Sequence, residues 1–397
     1  MESAIHWLVL GLAFAVALVL GAVAAKTNFC TMGAVSDWVN MGDTGRMRAW
    51  WLAIAVAISG VVALQAAGIA TLPENTLPPY RTAEFAWLRY ILGGLMLGIG
   101  MTLASGCPSR TLLRIGGGNL KSVVVFLVLG GVVYLMFATP IFNLAFMSWI
   151  RPVSLDLSRF GIAGQDLGAV AAGLVGADLS AARLWAGAAL ALLVYALVFR
   201  SRQFRGDFDN ILGGTAVGLA VAAGWAITAG PLGVEWLEYA SFAIERPIRV
   251  GAQSLTFVGP VGDTVRYLSE PAHFTLISFG VATVFGVILG ALLYSVASGN
   301  FRIEWFASWQ DFASHVAGGV LMGFGGFLAM GCTIGQGVTG ASTLALGSYL
   351  ALGSMMLGSA ITMKVQYHLL DEQGFWRALW LGLADLKLAP APKATSA

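Results

Sequence analysis

Long apolar runs alternate with short polar connections along the chain. A membrane span needs about 20 mostly apolar residues. Nine runs approach that length, at about 5–25, 48–70, 87–105, 120–147, 183–200, 211–230, 273–297, 313–330 and 347–369. The pattern predicts an all-α polytopic membrane protein with about nine transmembrane helices. The first run lacks a basic stretch before it and a small-residue cleavage site after it, so it reads as a retained span. Two longer connections remain, about 150–182 and 231–272. The second contains Gln253 to Thr264, QSLTFVGPVGDT, which is too apolar for a plain loop. The tail 386–397, ending APAPKATSA, reads as disordered.

Within this pattern one passage occurs twice. Gly93 to Cys107, GGLMLGIGMTLASGC, aligns with Gly318 to Cys332, GGVLMGFGGFLAMGC, at an offset of 225. Eight of the fifteen aligned residues are identical, including both terminal Gly-Cys pairs. A weaker match, Phe29 to Asp37 with Leu255 to Asp263, has an offset of 226. It pairs Gly33 with Gly259, Val35 with Val261 and Asp37 with Asp263. Two matches at nearly one offset indicate a duplication: repeat one over about 1–150, a connector over about 151–205 and repeat two over about 206–385. The offset spans five helices, an odd number, so the second copy is inverted. Inverted repeats typify transporters whose substrate sites lie near the midplane at the repeat interface.

Composition narrows the class. Only 11% of residues are charged and 58% are hydrophobic, against about 25% charged in soluble domains. The 51 glycines suit helices that pack closely in lipid. No basic run or nucleic-acid motif points to nucleic acid. No phosphate-binding loop signals ATP hydrolysis. Lys and Arg are more frequent in the connections after odd-numbered spans and in the tail. That bias predicts an outer N-terminus and a cytoplasmic C-terminus.

The chemistry centres on three cysteines, Cys30, Cys107 and Cys332. An odd number without Cys-x-x-Cys spacing argues against disulfides or a structural zinc site. A lone buried cysteine is ordinarily a small hydrophobe, but two of these occupy equivalent places in a repeat. Short apolar or small-residue segments follow each: Met32 to Asn40, Ser109 to Gly116 and Gly335 to Ala345. They are too short to cross and read as re-entrant half-helices. Their N-termini present free N–H groups and the positive dipole end near each thiol, an arrangement that favours anions. Thiols are soft, weak hydrogen-bonding partners and suit an anion with a terminal sulfur, such as thiosulfate, better than a hard oxyanion. Helix N-termini lower a cysteine pKa and apolar burial raises it. Transport by hydrogen bonding requires that burial prevail; a thiolate would instead attack sulfur covalently.

The repeat register sets Thr256 at the fourth position, opposite Cys30. Gly106, Gly331, Thr333 and Gln336 surround the cysteines in sequence, and Lys26 and Arg110 are candidate anion-attracting groups. Snorkelling would equally explain Lys26, and positive-inside topology Arg110. No metal-ligand spacing or cofactor motif is present.

The motifs NFCTMGAVSDW at 28–38, LASGCPSRTLLRIGGGN at 103–119, SLTFVGP at 254–260 and AMGCTIGQGVTG at 329–340 resemble the YeeE/YedE family of bacterial inner-membrane proteins, thiosulfate-transporter type. The resemblance implies an hourglass-like helical protein in the bacterial inner membrane with a periplasmic N-terminus. It also implies a permease rather than an enzyme, passing thiosulfate along Cys30, Cys107 and Cys332 by transient hydrogen bonds. A separate small TusA-like sulfurtransferase on the cytoplasmic side is the partner it suggests. Three alternatives stand beside it: a membrane sulfur-relay enzyme forming a cysteine persulfide, a transporter of a selenium compound, and a channel for a non-sulfur solute.

Overall fold

The computed structural model describes residues 2–390. Each of the nine apolar runs forms a helix: α1 (Glu2–Thr27), α2 (Gly45–Ala66), α3 (Trp87–Leu103), α4 (Leu120–Ala138), α5 (Leu179–Phe199), α6 (Phe208–Ala229), α7 (Phe279–Ala297), α8 (Trp309–Leu328) and α9 (Leu346–Leu370). Eight of them lie in stretches long and apolar enough to cross a membrane, and α8 is the exception. Its 20 residues provide the length. Its first two turns, however, carry Gln310, Asp311, Ser314 and His315. The expectation of about nine therefore stands as eight clear spans plus α8.

Several helix ends differ from the apolar pattern for local reasons. Helix α4 stops at Ala138, not near 147. Pro140 holds Thr139 in extended backbone, at φ −128° and ψ 158°, as a residue before proline prefers. Helix α7 starts at Phe279, not near 273, because the Ser278 side chain accepts the Val281 N–H and caps it. At the start of α5, Asp178 accepts the Ala181 N–H. The Ser180 hydroxyl first, then that N–H, hold the Asp178 carboxyl below its usual range.

The long connections are partly ordered. Helices Leu167–Val175 and Pro231–Phe242 occupy them, and Phe375–Asp385 follows α9. One small departure from an all-α chain exists: Glu84–Phe85 pairs antiparallel with Leu155–Asp156. Of the expected disordered tail, residues 386–390 form the turn that ends the last helix, with Leu388 N–H donating to Leu383 O at 2.8 Å. Residues 391–397 lie outside the described residues.

Packing follows the glycines. Helix α3 lies against α8 and α9, α4 against α8, α1 against α7 and α6, and α2 against α6. A Cβ built on Gly100 would stand 2.7 Å from Gly318 O, and one on Gly318 2.6 Å from Gly100 O. Backbone therefore touches backbone where α3 and α8 cross. Such close approach gains dispersion contacts in lipid, where no hydrophobic drive brings helices together. Helix α5 packs on α2 at the periphery and leaves Trp185, Leu192, Leu193 and Leu197 exposed, as a lipid-facing surface does.

Candidate functional site: three thiols between two cavities

Helices α1, α3 and α8 end in the same way. Two residues before each cysteine the backbone turns left-handed, at Asn28 (φ +51°), Ser105 (φ +57°) and Met330 (φ +61°). The next N–H then reaches back five residues: Phe29 to Ala24 O at 3.2 Å, Gly106 to Met101 O at 2.8 Å and Gly331 to Gly326 O at 2.8 Å. This closure satisfies carbonyls that would otherwise be orphaned and turns the chain sharply. The cysteine follows, and a short helical segment follows the cysteine. These are Thr31–Ser36 with the π-helical turn Asp37–Met41, Pro108–Gly116, and the π-helical turn Gly335–Gly340. The longest of these covers about 16 Å, roughly half a hydrocarbon core.

Each thiol therefore sits at the start of a helical segment. Cys30 Sγ accepts from Gly33 N–H at 3.4 Å, and Cys332 Sγ accepts from Gly335 N–H at 3.3 Å. Cys107 Sγ lies 3.2 Å from Ser109 Oγ. All three cysteines are free and buried. The Cys30 and Cys107 side chains interact with each other. Cys107 also lies near the side chain of Thr333, next in sequence to Cys332, without a hydrogen bond to it, and Cys332 lies near the backbone of Phe257. Around them, the hydroxyls of Thr31, Thr256 and Thr333 are buried without a hydrogen-bond partner among the described residues. Unsatisfied buried hydroxyls are rare in folded proteins and call for an explanation.

Two cavities reach this cluster. The first, of about 280 Å³, is lined by Arg89, Phe137, Arg249, Thr256, Asp263 and Gly331 among others. The second, of about 460 Å³, is lined by Cys30, Arg46, Arg110, Arg114, Arg302 and Glu304 among others. An adjoining space of about 330 Å³ shares Arg110 and Arg114 and extends to Lys26. Helix α3 runs from Arg89 toward Ser105, which line the first and second cavities respectively. The cavities thus lie at opposite ends of α3, about 24 Å apart along the helix. Gly331 and Thr256 open on the first, Cys30 opens on the second, and Cys107 bridges from Cys30 to Thr333.

The other residues singled out from the sequence fall into distinct settings. Thr256 packs over the segment after Cys332, since a Cβ on Gly335 would lie 2.2 Å from its Oγ1. Gly106 and Gly331 are the buried residues preceding their cysteines. Arg110 donates to Asn28 Oδ1 at 3.1 Å and lines both spaces at that end. Lys26 faces Asp209 at 3.8 Å with both side chains largely exposed. Gln336 lines neither cavity; its amide donates to Ala329 O at 2.6 Å and accepts from Ser348 Oγ at 2.6 Å. It ties the chain before Cys332 to the chain after it.

Residues not singled out as candidates also stand at the cavities: Arg46, Arg89, Arg249 and Asp263. The repeat carried a signal for two of these sites. Asp37 and Asp263 are its matched aspartates, and each pairs with an arginine on a cavity wall, Asp37 with Arg46 and Asp263 with Arg249. No cluster of three or more metal-ligating side chains occurs among the described residues.

Residues 26–361 match the family described as Sulphur transport. The thiosulfate transporter TsuA of Escherichia coli (strain K12) is 26% identical over 352 residues, which cover 85% of this chain and 89% of that protein. The thiosulfate transporter TsuA of Spirochaeta thermophila is 25% identical over 296 residues, covering 68% and 74%. The matched span holds all three cysteines with their short following helices and both cavities, so the chain belongs to the Sulphur transport family, YeeE/YedE type.

Proposed function

We propose that the protein is an inner-membrane permease for thiosulfate or a closely related sulfur anion, which moves between the two cavities along the three thiols. The observation that carries this reading is the series Thr256–Cys332–Thr333–Cys107–Cys30 between the cavities, with threonine hydroxyls left unpartnered beside the thiols. A dianion cannot cross hydrocarbon unaided, because desolvation of charge costs many kcal/mol. Helix N-termini at Cys30, Cys107 and Cys332 offset part of that cost through N–H groups and dipoles. Neutral thiols then offer weak contacts to the terminal sulfur, and several weak sites in series favour passage over trapping. The names of the relatives support thiosulfate as the substrate.

In this reading the first cavity faces the periplasm and the second the cytoplasm, in line with the lysine and arginine bias of the connections. Two cavities narrowing on the thiols would give the hourglass outline that the resemblance implies. The inverted repeat is supported by exchanged pairings: α1 with α7 corresponds to α6 with α2, and α3 with α9 corresponds to α8 with α4. A separate sulfurtransferase of the TusA type on the cytoplasmic side would consume the sulfur delivered.

Growth of a sulfur-auxotrophic host on thiosulfate as sole sulfur source, with and without the gene, tests the permease. Growth that does not depend on the gene would sink it. A covalent relay would proceed differently. A thiolate would attack the terminal sulfur, the S–S bond of thiosulfate would break, sulfite would leave and a persulfide would remain. Mass measurement of purified protein after thiosulfate exposure separates the two: an added sulfur on a cysteine marks the relay, and an unchanged mass marks conduction.

A further inference from the structure

The first cavity is built for more than entry. Its two arginines rest on a wall of three phenylalanines. The Arg89 guanidinium lies 5.7 Å from the Phe142 ring centroid, and that of Arg249 lies 4.2 Å from the Phe137 centroid. Phe327 meets both rings edge-on, with centroids at 4.6 and 4.7 Å. Stacking fixes the plane of each guanidinium and leaves its edges free. Arg89 donates its Nε to Leu328 O at 2.8 Å, and Arg249 faces Asp263 through its Nε in an ion pair. The Nη groups of both make no hydrogen bond to the described residues, and both arginines line the cavity. Arg249 also holds a left-handed φ of +54°, a strained conformation for an arginine that tends to mark functional sites.

Resting on the proposed function, we infer that this cavity is an oxyanion subsite. Arg89 and Arg249 take the three-oxygen face of a sulfur oxyanion, and its terminal sulfur points toward Met330, Gly331 and Cys332. Met330 adds a soft thioether to that end. Asp263 is a positioning residue. Its carboxylate holds Arg249 against Phe137 and cancels one of the two positive charges, so the site captures a dianion without trapping it. The cavity at the other end repeats the device: Arg46 donates to Asp37 Oδ1 at 2.7 Å and lines the wall.

Initial rates of thiosulfate uptake into proteoliposomes holding the full chain test the site. For Arg249→Gln and Arg89→Gln, KM should rise by about tenfold, the equivalent of one lost charge-assisted contact. The limiting rate should stay within about twofold, and uptake should lose much of its ionic-strength dependence. Arg249→Lys should keep the salt dependence and recover only part of KM, because a lysine lacks the fork. Asp263→Asn should lower both KM and the limiting rate, as an unopposed Arg249 holds the anion longer. Cys332→Ala, in contrast, should lower the limiting rate. Unchanged KM in Arg249→Gln and Arg89→Gln at normal abundance overturns the subsite and leaves thiol passage standing. If wild type carries no thiosulfate, the proposed function fails instead, and calorimetric titration of the purified protein with thiosulfate and with sulfate decides the subsite alone. Binding that is weakened in Arg249→Gln and Arg249→Lys supports it, and equal binding in both removes it.

Discussion

Gly93 of α3 and Gly325 of α8 meet so closely that a Cβ on either would stand 2.7 Å from the carbonyl oxygen of the other. Gly325 is the repeat equivalent of Gly100, and Gly100 in turn meets Gly318, the equivalent of Gly93. The contact is therefore reciprocal, as at an interface of twofold symmetry. It also makes α3 and α8 antiparallel, so the turns before Cys107 and Cys332 lie at opposite ends of the pair.

That contact is sensitive to a single methyl group. Gly318→Ala should destabilise the detergent-purified protein by about 1–3 kcal/mol, the usual range for overpacking. Gly131→Ala on α4, where nothing lies within 4 Å of the added Cβ, should be neutral or slightly stabilising. Thermal unfolding of the two variants checks this, and equal midpoints would contradict the packing account.

The proposed inverted repeat makes a prediction about topology. Reporter fusions after residue 202 and after the last helix should both report the cytoplasm. A periplasmic signal at the C-terminus would exclude nine crossings, and with them the inverted repeat.

The thiols should be indispensable in different degrees. Cys107→Ala and Cys332→Ala should cut thiosulfate uptake by about tenfold or more, the scale of one hydrogen bond to an anion. Cys30→Ala should be less damaging, because Cys30 stands at the cavity edge and its counterpart is already a threonine. Cys332→Ser should fail too, since a hydroxyl is a harder partner for sulfur. Wild-type uptake by all three alanine variants at normal membrane abundance would leave the cysteines as packing groups.

Thr256→Val preserves shape and removes a hydroxyl that has no hydrogen-bond partner among the described residues. If the hydroxyl served only the fold, the change would be neutral or stabilising, because an unsatisfied buried group is lost. The proposed path predicts an uptake loss of several-fold, matching about 0.5–1.5 kcal/mol for one hydrogen bond. Uptake and thermal stability measured together separate the two outcomes.

The sequence alone determined the membrane class, the positions of nine helices, the three thiols at helix breaks and a passage spelled twice at one offset. These depend on local hydrophobicity, on glycine and on repeated spelling, all of which are properties of short stretches. It even marked Asp37 and Asp263 as equivalents, without their partners. What only the tertiary structure decided is which distant groups meet. Arg249 reaches Asp263, Cys107 reaches both Cys30 and Thr333, and Gln336 turns inward to bind Ala329 and Ser348. The same decision set two phenylalanine-backed arginines at one end of α3 and four arginines at the other. A glycine-lined crossing can form with many registers of similar local propensity. One crossing is selected because backbone contacts, buried ion pairs and helix-end hydrogen bonds must all be met at once.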